Sequence, residues 1–236
     1  MSLAGCRPPS LTWRLSAAGL VAAALAGCGS GADLTAAPPT DEGIHSVIQE
    51  DYSGASLVAV LAAPDARALY VTARLAAAGP SVYGVADPGG SAPPPIYTPY
   101  RLEEVKAVVG TVPPTISSVL VWGGRIGVND LTAPGYAGFE VGNSFLLELL
   151  PSQAPALAKF ELGLALPINQ GRLFVPTQQL SLGGYSGPRS AATLPVRGRG
   201  VASAPAISEP GFWISTKALA SSVSKLAPGR RIRLPE

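Results

Sequence analysis

Apolar residues in this chain come in short bursts, and glycine or proline separates one burst from the next. Residues 56–63, SLVAVLAA, and 68–75, ALYVTARL, are joined by Pro64-Asp65, which is turn chemistry, so the pattern predicts two strands. Residues 81–86 predict a brief further strand, and 87–95, DPGGSAPPP, a loop. Residues 97–109, YTPYRLEEVKAVV, read as one long strand. Its alternation runs through Tyr100 and Leu102 and resumes at Val105 and Ala107, which places a bulge near Glu103-Glu104. The β-branched run 115–122, TISSVLVW, is a strand ended by Gly123-Gly124. Residues 125–138 read as a loop. FLLELL at 145–150 and LAKFELGLAL at 157–166 flank turn material at 151–155 and predict an antiparallel hairpin. Residues 171–175 and 177–182 bring the total to about eight strands.

After these the pattern changes. Residues 183–211 are rich in Gly, Ser, Pro and Arg and read as a long irregular excursion. Residues 215–227, STKALASSVSKLA, are the best helix in the chain. Ser215 can cap it, Leu219, Val223 and Leu226 recur at helical spacing, and Pro228-Gly229 stops it. The fold class that follows is mainly β: a small closed antiparallel barrel or a sandwich, with a C-terminal helix.

The first apolar run does not belong to that body. Arg7 and Arg14 give a positive start, and residues 15–26 are uncharged, apolar or small. The run is too short for a spanning helix of ~20 residues and fits a secretory signal. Ala24-Leu25-Ala26 also satisfies the rule for an ordinary cleaved signal, and an uncleaved anchor is the third reading. Leu25-Ala26-Gly27-Cys28 resembles the lipobox of bacterial lipoproteins. The resemblance implies a diacylglyceryl group on the Cys28 thiol, cleavage just before Cys28, and a partner in the membrane itself. The protein would then sit on the extracytoplasmic face of the cell membrane. Leu3-Ala4-Gly5-Cys6 has the same letters, but no apolar run precedes it. Two acyl chains hold a protein stably where one does not.

The expected organisation is a signal peptide at 1–27, a flexible tether at 28–44, a β-barrel-like domain at 45–183, an irregular segment at 184–214, and a helix with a basic tail at 215–236. On this reading the two cysteines, Cys6 and Cys28, leave no thiol for a disulfide in the body.

Charge divides the chain. Residues 28–188 carry seven Lys/Arg against 13 Asp/Glu, whereas 189–236 carry eight against two. Arg189, Arg197, Arg199, Arg230, Arg231 and Arg233 are therefore the candidates for contact with an anionic surface, either lipid heads or an envelope polymer. The competing reading is that they serve solubility and pair with the acidic body.

A second resemblance covers residues 97–175. The succession YRLEEVKAVVGTVPPTISSVLVWGG, FEVGNSFLLELLP and LPINQGRLFV is similar to a pattern found in uncharacterised secreted bacterial proteins. Gln170-Gly171, Phe174 and Val175 match its last element, with Leu173 lengthening the spacing by one residue. The resemblance implies a small OB-like β-barrel and carries no catalytic residues.

Other chemistry is sparse. A metal site or a Ser-His-Asp triad would have to use His45, the single histidine, and no G-x-S-x-G elbow exists. Glu148 and Glu161 fall on neighbouring strands and could run glycoside chemistry, although polar strand faces also explain them. Gly123-Gly124-x-x-Gly127 fits neither nucleotide-binding fingerprint and reads as a turn. Trp122 and Trp213 offer sugar-stacking faces or core packing. The expectation is a non-catalytic binding or envelope-organising module with no metal or cofactor and no nucleic-acid partner, against the alternative of a lipid-tethered hydrolase using carboxylates.

Overall fold

The computed structural model describes residues 45–47, 55–86, 93–113, 115–132, 135–196 and 207–235. In chain order these form β1 (His45–Val47), α1 (Leu57–Ala62), β2 (Leu69–Ala78), β3 (Val82–Tyr83) and β4 (Ile96–Ala107). Then come β5 (Ser118–Trp122), β6 (Gly124–Ile126), β7 (Asn129–Thr132), β8 (Ser144–Pro151) and β9 (Phe160–Asn169). The last elements are β10 (Arg172–Pro176), β11 (Arg189–Val196), β12 (Ile207–Ser215) and α2 (Thr216–Leu226). The chain is mainly β with a C-terminal helix, as the pattern implies.

The larger sheet runs β11-β12-β10-β9-β5-β4-β2-β8, with β3 added to β4 and β8 also paired to β9. Every pairing in it is antiparallel except β5 with β9, which meet in parallel at Leu120 and Glu161. β1, β7 and β6 form a separate small sheet. The bulge in β4 is present. Thr72 faces Lys106 but Arg74 faces Glu103, so β4 carries one extra residue there, and Glu104 takes a φ of 56°. That extra residue lets Leu102 and Val105, three apart, pack into the same cluster. β9 uses the same device: Glu148 faces Leu164 and Leu149 faces Leu162, so Gly163 is extra and Leu162 and Ala165 share a cluster.

Four expectations need correcting. Residues 57–62 are helix, not strand: the Ser56 side chain accepts from the Ala59 amide at 3.4 Å, and Leu57, Val58 and Leu61 are buried together. An apolar run this short shows no period that separates helix from strand, so the cap and the packing decide. Residues 125–138 are not only loop, because β6 and β7 turn back on each other around Gly127, whose φ is 60°. Residues 177–182 are a turn and not a strand: Ser181 makes an isolated bridge to Ser56, the residue that caps α1, and Leu180 and Leu182 pack into the cluster that α1 covers. The segment expected to be irregular, 184–214, holds β11 and nearly all of β12, paired over eight residues from Arg189 opposite Ile214 to Val196 opposite Ile207. Proline survives there because β11 is the edge of the sheet and Pro210 lies just beyond the β10 ladder, which ends at Gly211. Gly211 has a separate role: a Cβ at that position would collide with the Phe174 ring and the Val175 carbonyl.

Strand alternation separates the two larger of four buried clusters. Val71, Ala73 and Leu75 of β2, Val119 and Val121 of β5, and Phe145, Leu147 and Leu149 of β8 belong to one cluster. Tyr136 and Phe139 of the preceding loop pack on it, with Phe139 5.1 Å from Tyr100 and 5.2 Å from Phe145. The opposite faces contribute Tyr70, Leu146, Leu164 and Leu166, joined by Leu173 and Val175 of β10 and Ile214 of β12. Helices α1 and α2 cover this second cluster with Leu57, Leu61, Leu219 and Val223. Each fully buried Leu or Val contributes roughly 1.5–3 kcal/mol. Past α2 the chain turns at Gly229, with φ 88°, and Ile232 returns to the same cluster.

Candidate functional site

Leu25, Ala26, Gly27, Cys28, Arg197 and Arg199 lie outside the described residues. His45 stands in β1 opposite Asp130 of β7. Among the described residues no group of three or more His, Cys, Asp or Glu side chains could hold a metal ion. Gly123-Gly124 and Gly127 bracket β6, at the strand break and the turn.

The two candidate carboxylates are on neighbouring strands but are not opposite each other. Glu148 pairs with Leu164, and Glu161 with Leu150. Glu148 accepts a hydrogen bond from the Tyr70 hydroxyl, and its other oxygen lies where a Cβ on Gly163 would come within 2.9 Å of it. Burial pushes the Glu148 carboxyl up from its ordinary value, against the Tyr70 hydrogen bond, which pulls the other way. Burial and the Glu148 carboxylate also push the Tyr70 phenol up. Glu161 is buried and accepts from Trp122 Nε1 at 3.2 Å, Ser152 Oγ at 3.0 Å and the Gln153 amide. Tyr97 lies beside it with its ring 6.0 Å from Trp122. Burial, then the Glu161 charge, push the Tyr97 phenol up to about 12. Both carboxylates are therefore committed to internal donors, and Trp122 is a packing and donor residue.

The arginines separate. Arg189, at the exposed start of β11, lies with its guanidinium carbon 5.8 Å from the centre of the Phe212 ring. Arg231 is exposed on the tail and Arg230 partly so. Arg233 is built into a site. Its amide donates to the Val108 carbonyl at 3.0 Å, Ile232 before it is buried, and the Pro235 carbonyl accepts from Thr216 Oγ1 at 2.8 Å. The tail is thereby laid along the end of β4. Arg233 then lines a groove of about 510 Å³ with Thr72, Arg74, Glu104, Lys106, Ser144 and Ile168. Arg74 pairs with Glu103 and, at 3.3 Å, with Glu104, whereas Lys106 and Arg233 form no ion pair among the described residues. Exposed pairs such as those of Arg74 contribute about 0–1 kcal/mol, weak enough for an incoming anion to compete.

A second groove, of about 480 Å³, shares Ser144 and Ile168 with the first. Trp213, Leu194 and Pro167 supply its apolar lining, and Glu140, Asn143 and Asn169 its polar lining. Trp213 packs edge-on against Phe174 at 5.5 Å and stays half-buried. Sequence reasoning found Arg233 and Trp213 but missed Arg74 and Lys106. The available signal was strand alternation, which puts Arg74 on the Tyr70–Thr72 face of β2.

No family model, no curated protein and no solved structure matches the chain.

The Glu148 shift has a consequence in solution. A carboxyl whose folded pKa is raised holds its proton more tightly in the folded chain than in the unfolded one. Its contribution to stability is complete below the unfolded value, near 4.5, and is lost as pH rises through the folded value. Glu148→Gln removes this titration and leaves an acceptor for Tyr70. Urea unfolding should therefore show the variant gaining on the wild type between pH 4 and pH 7. A difference that does not change with pH contradicts the assignment.

Proposed function

We propose that this chain is an exported lipoprotein, held at the outer face of the cell membrane by a diacylglyceryl group on Cys28, whose β domain is a non-catalytic module that binds an anionic component of the envelope. The observation that carries the binding role is the groove lined by Arg74, Lys106 and Arg233, whose one carboxylate, Glu104, pairs with Arg74 and leaves Lys106 and Arg233 with no ion pair among the described residues. Unpaired cations gathered in a concave site raise the local concentration of anions and orient them. The anchor rests on the apolar run 15–26 followed by Leu25-Ala26-Gly27-Cys28. The alternative, a hydrolase working through Glu148 and Glu161, gains nothing from those residues: each is tied to its own donors, and neither lines either groove.

The domain itself is read as an OB-like barrel. The order of pairing supports this, for β2 meets β4, β4 meets β5, β5 meets β9, β9 meets β8, and β8 meets β2 again. A meander of three strands, a parallel join and a returning hairpin is the connectivity of that class, whose ligands bind on the face of the second and third strands. Here those strands are β4 and β5, and that face is filled: Tyr97 and Leu120 are buried there, with Ala154 and Ala158 packed over them. Binding is accordingly assigned to the groove at the C-terminal tail and the Trp213 groove that shares Ser144 and Ile168 with it.

Mass spectrometry of the protein taken from its native membrane should find residue 28 as the N-terminus and carrying the lipid. An intact Met1 or an unmodified Cys28 would overturn the anchor. Independently, the mature domain should co-sediment with envelope fragments at low salt, and Lys106→Glu with Arg233→Glu should cut the retained fraction at least tenfold. Undiminished retention would remove the groove from the function.

A further inference from the structure

The two grooves share Ser144 and Ile168 and differ in charge: the first is lined by three cations and one carboxylate, the second by the Glu140 carboxylate and no cation. At one end stands Trp213, half-exposed, with the apolar Leu194 and Pro167 near it. Asn143 and Asn169 are exposed at the same end, and Glu140 is exposed beside them. An amide side chain offers a donor and an acceptor together, which is what adjacent sugar hydroxyls require. An aromatic face takes the C–H side of a pyranose ring, and a groove of this size is in the range of small-ligand sites. At the other end stand Arg74, Lys106 and Arg233, with Glu104 paired to Arg74. Ser144 and Ile168 belong to both.

We infer that the ligand is an acidic glycan, seated with a sugar ring against Trp213 and with a carboxylate or phosphate of a neighbouring unit between Lys106 and Arg233. This rests on the anionic-binding role proposed above and names its chemical class. A lipid headgroup would use the cationic end and leave the tryptophan end idle. A single-stranded nucleic acid would place phosphates beside the Glu140 carboxylate as its bases stacked on Trp213. A glycan with an uncharged ring at that end and its charge one or two units away satisfies both ends.

The test is titration of the mature domain at low salt with a hexasaccharide of alternating glucuronic acid and N-acetylglucosamine, with maltohexaose, with phosphatidylglycerol vesicles and with a dT hexamer. The acidic hexasaccharide should bind at least tenfold more tightly than maltohexaose or the dT hexamer. Trp213→Ala should weaken it tenfold or more, and so should Lys106→Ala with Arg233→Ala. Trp213 also packs on Phe174, so Asn169→Ala, an exposed change, provides a second probe of the sugar end and should weaken binding of the acidic hexasaccharide several-fold. Vesicle binding that depends on Lys106 and Arg233 but not on Trp213 or Asn169, without preference for the acidic glycan, overturns the glycan while leaving an anionic-binding groove. Tighter binding of the dT hexamer overturns it too. If none of the anionic probes binds, both the glycan and the groove's role fall.

Discussion

Strands β8 and β9, with the start of β2, are apolar on both faces, and the need to bury the second face determines how the rest of the chain is arranged. One face of each strand closes on its neighbours through Val71, Leu147 and Leu162. The other presents Tyr70, Leu146, Leu164 and Leu166, which a lone sheet would leave against water. Roughly 1.5–3 kcal/mol for each such side chain is at stake, more than any surface ion pair in the molecule supplies. The chain answers with two short helices and a returning tail. Leu57 and Leu61 come from the N-terminal side, Leu219 and Val223 from the C-terminal helix, and Ile232 from the tail beyond it.

The grooves are by-products of that covering. Because Ile232 is drawn into the outer core, Arg233 is set down at the end of β4, and the Val108 carbonyl fixes its backbone. Lys106 and Arg74 are already there, on the polar positions of β4 and β2. β11 and β12 extend the sheet past β10 and carry Trp213 to the neighbouring groove. The acidic body and basic tail visible in the composition thus meet in one place with the cations facing outward. Glu103 and Glu104 pair with Arg74, and Glu103 also with Arg101 at 3.2 Å, so neither pairs with Lys106 or Arg233. The same packing removes the two carboxylates that looked most chemical. Glu148 is turned under Tyr70, and Glu161 is enclosed by Trp122 and Ser152.

What the sequence made legible was whatever depends on neighbours along the chain. The long strand and its bulge followed from alternation at Tyr100, Leu102 and Val105. The β8–β9 hairpin followed from two apolar runs around a turn, and α2 from Ser215 and the spacing of Leu219 and Val223. What was lost depends on partners distant in sequence. Residues 57–62 are helical because Ser56 caps them and two other segments bury them, which an apolar run of six cannot reveal. β11 and β12 look like loop because Pro195, Pro210 and Gly211 interrupt them, yet each supplies the other's ladder. The cationic groove joins residues of β2, β4 and the tail, and only the reversal at Pro228-Gly229 brings the last of these back.

The central claim is that burial of Ile232 pins the tail and so creates the site. Hydrogen exchange at the Arg233 amide, which donates to Val108, tests this most directly. Exchange at that amide should be slowed at least a hundredfold relative to an unstructured peptide, and Ile232→Ala should abolish most of the protection while the amides of β8 stay protected. An Arg233 amide that exchanges freely in the wild type, or that keeps its protection in Ile232→Ala, would contradict the account.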